Sequence, residues 1–128
     1  MSKKRVVLVL RVVVAIILIQ TLRFKFTAHP DSVYIFEALG LEPHGRITIG
    51  ILELIAGILI LIPRTAWLGA ALTMGIIGGA IVSHLTQLGI VVNNDNGVLF
   101  ITAVVTFILA AIILIYYRKS IPLIGKKL

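Results

Sequence analysis

Cysteine is absent from this chain of 128 residues, and with it go dithiol redox exchange and thiolate metal sites. Charge is scarce as well: Asp, Glu, Lys and Arg supply 13% of the residues, about half the share of a soluble domain. Acid is scarcest, with five Asp and Glu against twelve Lys and Arg and a net charge of +7. Of three histidines only His84 lies in an apolar run, so the paired axial ligands of a membrane b-type haem are missing. No metal constellation, activated nucleophile or phosphate-binding glycine loop is present. A self-contained enzyme is therefore not what the residues describe.

Most of the chain is apolar. Hydrophobic residues make up 59% of it, mostly in four runs, Val6–Phe26, Arg46–Ile62, Ala66–Leu88 and Val98–Tyr117. Each approaches or exceeds the ~20 residues that a helix needs to cross a hydrocarbon core. The runs occupy most of the chain and leave no room for a soluble domain. The expectation is one all-α domain over 1–128, a four-helix membrane bundle. The start resembles a secretion signal, but no small-x-small cleavage site follows its apolar core, so the first helix is expected to be retained.

Four spans put both chain ends on one side. That side collects Lys3, Lys4, Arg5, Arg64, Arg118, Lys119, Lys126 and Lys127. The other side has Arg23, Lys25 and Arg46, with Asp31, Glu37, Glu42 and Asp95. Eight against three predicts cytoplasmic termini in an inner (plasma) membrane. Basic residues at chain and helix ends orient the chain and meet anionic headgroups; nucleic acid is not an expected partner.

Between the first two runs, Pro30, Asp31 and Ser32 predict the start of a short amphipathic helix, SVYIFEAL, which Gly40 stops. It reads either as an interfacial loop or as a lid over the bundle. Pro63 ends the second run, and the tight IPRTA turn makes the second and third helices antiparallel neighbours. Trp67, Tyr116 and Tyr117 suit the interfacial aromatic belt.

Within the second run stands Glu53. A carboxylate at that depth costs roughly 2.5–3.5 kcal/mol on insertion scales, so it requires a partner, a proton or water. At ~100° per residue, Arg46, Gly50, Glu53 and Gly57 share one narrow strip, and Arg11 shares a face with Lys25 on the first helix. The third helix divides into a ladder of Ala71, Gly75, Gly79 and Ser83, a signature of close packing, and an opposite stripe of Thr73, Ala80, His84 and Gln87. Helix rise puts Glu53 roughly 10 Å and His84 roughly 6 Å below the side away from the termini. Arg11, Lys25, Gly50, Glu53, Gly57, His84 and Gln87 are thus the candidates for one polar pocket or network. For Arg11 the alternatives are snorkelling to headgroups or pairing with Glu53. For Glu53 they are a structural pair or a ligand site, and for His84 an interhelical hydrogen bond or a binding role.

The segments TLRFKF, FEALGLEPHGRITIGILELIAGILILIP and GAALTMGIIGGAIVSHLTQLGI together resemble the DoxX-like family of small four-helix membrane proteins. The arginine of the first helix, G-x-x-E at Gly50 and Glu53, and A-x-x-x-H at Ala80 and His84 carry the likeness. The resemblance implies a membrane subunit or partner of a redox or detoxification system. If a quinone is handled, Glu53, His84 and Arg11 are the groups to hydrogen-bond its carbonyls. The expected function is a polar intramembrane pocket for a small amphiphile, quinone or lipid, with a redox partner protein and a homo-oligomer as associates. The alternatives are a structural membrane protein without ligand, or a proton-coupled transporter.

Overall fold

The computed structural model describes residues 2–92, 95–122 and 125–127. The first span is α1, Lys3–Gln20, continued after a break at Thr21 by α2, Leu22–Phe26. The short helix α3 covers Pro30–Ala38, and the remaining spans are α4 (His44–Leu61), α5 (Ala66–Ser83) and α6 (Val98–Tyr116). All four spans are long and apolar enough to cross a membrane. No strand occurs among the described residues.

Local chemistry sets these boundaries. Ser2 caps α1 by accepting from the Arg5 N–H at 3.3 Å, satisfying one of the four unpaired donors of a helix start. The break at Thr21 coincides with its hydroxyl turning back to the Leu18 carbonyl at 2.8 Å, a bond that competes with the helical ladder. Helix α3 starts two residues earlier than its sequence suggests, because Pro30 fits the first helical position and His29 Nδ1 accepts from the Asp31 N–H at 3.2 Å. Gly40 does end it. With φ +73°, it lets the Leu41 N–H reach the Phe36 carbonyl at 2.8 Å and its own N–H reach Glu37 at 3.0 Å, the paired bonds of a Schellman ending. Helix α5 stops at Ser83 rather than Leu88, and residues His84–Leu88 form a single π-helical turn.

The spans form a ring in the order α1, α4, α5, α6, closed by contact between α1 and α6. Val14, Ala15 and Leu18 of α1 meet Ala56 and Ile60 of α4, Ala70 of α5 and Ile113 of α6 in the core. Lipid is as apolar as leucine, so close packing through small residues rather than exclusion from water holds such a core together. The backbones of α4 and α5 approach closely at Gly69, where an added Cβ would lie 2.9 Å from the Ala56 carbonyl and from the Ile60 Cα. The sequence points instead to the ladder of Ala71, Gly75, Gly79 and Ser83. There, a Cβ at Gly75 or Gly79 would meet nothing within 4 Å. The close contact between α4 and α5 thus sits near their tight turn and does not extend along that ladder. Outside the ring, Leu8, Val9, Ile16, Ile58, Ile108 and Ile115 are exposed, a surface suited to hydrocarbon and not to water.

Candidate functional site

Helices α1–α2 and α4 run antiparallel, and buried charge joins them at two levels. The lower level, at the end carrying the chain termini, belongs to Arg11. Its side chain is 5% exposed, with Nε donating to the Ile60 carbonyl at 2.8 Å and Nη2 to the Leu61 carbonyl at 2.7 Å. Nη1 donates to the Tyr117 hydroxyl at 3.2 Å, and the guanidinium stands 5.7 Å from that ring's centroid. The last carbonyls of a helix have no intrahelical partner and carry its negative dipole end. Arg11 therefore closes the C-terminus of α4 and ties α6 to it.

The upper level belongs to Glu53, 3% exposed. Because α4 begins at His44, Glu53 lies midway along the helix, about 13 Å from its start and deeper than the sequence estimate. Lys25 Nζ stands 2.8 Å from Oε1, and Thr21 Oγ1 stands 3.2 Å from Oε2. Lys25 also lies 3.4 Å from the Thr21 hydroxyl. The contact at Oε1 is an ion pair without hydrogen-bond alignment, so this buried oxygen lacks an aligned donor. Lys25 is held in turn. Arg46 donates through Nη1 to the Lys25 carbonyl and through Nε to both oxygens of Glu42, at 2.9 and 3.1 Å. Two acids and two bases thus alternate from Glu53 midway along α4, through Lys25 of α2 and Arg46 near the start of α4, to Glu42 just before it, with no net charge. The expected strip is real: Arg46, Gly50, Glu53 and Gly57 are all buried. Gly50 lies beneath the Phe26 ring, where a Cβ would come within 2.7 Å, and Gly57 receives Ile19.

His84 forms a third centre. It is 5% exposed, its Nδ1 lies 2.9 Å from the Gly89 carbonyl, and its ring meets Phe100 edge-on at 5.6 Å. The carbonyl requires a proton on Nδ1. Nearby, Asp95 accepts from the N–H groups of Val92, Gly97 and Leu99 at 3.0, 2.8 and 3.1 Å. Burial raises its carboxyl, but these three donors and the charge of His84 bring it below its ordinary value of 3.8.

The DoxX-like family model matches residues 9–113 of the sequence. The chain belongs to the DoxX-like family. No curated protein and no solved structure matches it.

In this DoxX-like chain the seven candidate residues do not line a single pocket. Lys25, Gly50 and Glu53 come together and Gly57 lies one turn below. Arg11 is about seven residues of α4 away from Glu53, roughly 10 Å along the helix axis, and bonds to main chain instead. His84 bonds to its own loop rather than to Glu53, and Gln87 is exposed on the π-helical turn. Two concavities open elsewhere. One, of about 280 Å³, is lined by Val12, Ala15, Ile16, Ile19, Gln20 and Leu61 on the outside of the ring. The other lies in the C-terminal tail. Thr21, Glu42 and Tyr117 are members of these networks that sequence reasoning missed. The four-residue spacings Thr21–Lys25 and Glu42–Arg46 were their available signals.

Proposed function

We propose that this DoxX-like protein is a membrane subunit that holds the polar head of a small amphiphile, a quinone or a lipid, at Glu53 and Lys25, in the service of a redox or detoxification partner. The observation that carries this reading is Glu53 itself. It is a carboxylate buried at mid-membrane depth, with its ammonium partner on a separate five-residue helix and one oxygen lacking an aligned donor. A quinol hydroxyl donates to such an oxygen and a quinone carbonyl accepts from Lys25, so the pair offers both halves of what the head requires. Helix α3 packs on α2, the helix that carries Lys25, and on α4. The eight-to-three charge asymmetry supports an inner (plasma) membrane setting with both ends cytoplasmic.

Mass spectrometry of the gently purified protein and its organic extract tests this. A stoichiometric small molecule retained by the wild type and lost from Glu53→Gln is the expected result; equal retention by both refutes the assignment. A second reading, in which the charges only lock the bundle, is favoured by the Phe26 ring packed on Gly50. On that reading both samples are free of ligand and the variant is merely less stable.

A further inference from the structure

We propose that the folded C-terminal tail is a binding site for the phosphodiester headgroup of an anionic phospholipid. The tail, which lies outside the residues matched by the family, leaves α6 at Tyr116 and Tyr117, whose rings meet edge-on at 4.9 Å. The bond from Arg11 to the Tyr117 hydroxyl fixes this point to the bundle at the level where α4 ends. Beyond Tyr117, among the described residues, 118–120 and 125–127 pack against each other. Arg118–Ser120 makes a 3-10 turn, and the Gly125 N–H returns to the Ile121 carbonyl at 2.8 Å. Gly125 is buried against the turn, where a Cβ would lie 2.8 Å from the Lys119 carbonyl carbon and closer still to its oxygen. Only glycine fits there.

The fold of the tail leaves a concavity of about 410 Å³ lined by Lys119, Ser120, Ile121, Pro122, Gly125 and Lys126. Two ammonium groups and a hydroxyl supply donors to a phosphate, and Ile121 and Pro122 supply apolar surface beside it. None of the five Asp and Glu side chains lies at this end of the bundle, where eight Lys and Arg collect. The side-chain charge at this end is therefore of one sign. The end of a membrane-spanning helix places the cup at headgroup height, where each lysine adds attraction to anionic lipid. The chemistry recognised is a phosphate, and the source we assign is the lipid, because the cup follows directly on the end of a membrane-spanning helix.

Native mass spectrometry of the full chain released from nanodiscs of phosphatidylcholine with phosphatidylglycerol tests the assignment. Lys119→Gln with Lys126→Gln is expected to lower phosphatidylglycerol retention on the order of tenfold. Gly125→Ala is expected to lower it as well, although it removes no charge, whereas Lys3→Gln with Lys4→Gln changes it little. Equal loss from the Lys3/Lys4 pair would reduce the site to a diffuse basic surface and overturn the proposal. So would full retention in Gly125→Ala, or displacement of the lipid by millimolar inorganic phosphate.

Discussion

Helices α1–α2 and α4 meet at two buried charges, and the two are satisfied in different ways. Arg11 bonds mainly to backbone, at the Ile60 and Leu61 carbonyls. These acceptors belong to the end of a helix and cannot rotate away. Glu53 is met only by side chains: Lys25, on a five-residue helix, pairs with Oε1 without hydrogen-bond alignment, and the Thr21 hydroxyl, 3.2 Å from Oε2, shares its one proton with the Leu18 carbonyl. A charge closed by main chain fixes a register. A charge closed by a side chain, which can rotate away, can exchange its partner for a ligand. The difference marks the level of Arg11 as a fixed structural joint and supports the proposed role of the level of Glu53.

The largest expected effect comes from Lys25→Met. It strands a carboxylate at mid-membrane depth and should cost about 3–5 kcal/mol, read as a lower unfolding midpoint in detergent. Adding Glu53→Gln should restore most of the loss, because the second change removes the stranded charge, and a double-mutant cycle measures that coupling. If the double variant is no more stable than Lys25→Met alone, the pair is not the unit described.

Arg11→Met should cost roughly 2–3 kcal/mol by leaving helix-end carbonyls unpaired. Here no second side-chain substitution should rescue it, since the lost partners are main chain. Rescue by any change at Glu53 would show the two levels to be one network. Tyr117→Phe removes only the third bond of the guanidinium, at 3.2 Å, and should cost about 1 kcal/mol while leaving the coupling between Lys25 and Glu53 unchanged.

Much of this was legible in the residues, and the failures have a direction. Four apolar runs gave the spans, and the spacing of Arg46, Gly50, Glu53 and Gly57 gave the buried strip of α4. The partner of Glu53 was misread because reach was considered without orientation. Side chains on a helix lean toward its N-terminus. Arg11 on α1 therefore leans toward the terminal end, away from Glu53 and onto the last carbonyls of α4. Lys25 on α2 leans back toward Glu53, and Glu53 on α4 leans toward Lys25. The helix that ends in a π turn at His84 had no comparable sequence signal, and that turn leaves His84 on the Gly89 carbonyl and Gln87 exposed. The Gly75–Gly79 ladder was visible, but packing within the chain settles on Gly69 because the short turn at 62–65 forces α4 and α5 together there.

The smallest effect tests whether acid sensitivity follows the same division. None of the five acidic side chains lies at the terminal end, so protonation should loosen the α3 end and leave the Arg11 level intact. Asp95 holds the start of α6 through three backbone N–H groups, and its carboxyl is lowered from 3.8 in the folded chain. A lowered folded value means that the carboxylate stabilises the fold above the unfolded value and loses that contribution as pH falls through the folded one. The unfolding midpoint of wild type should therefore drop below pH 4 by slightly more than that of Asp95→Asn, while the two curves run parallel above pH 5. Hydrogen exchange in acid should rise first in the loop before α6 and last at Ile60 and Leu61. Faster exchange at Ile60 and Leu61 than in that loop would mean that the level of Arg11 is the softer of the two, and the division of the molecule would be reversed.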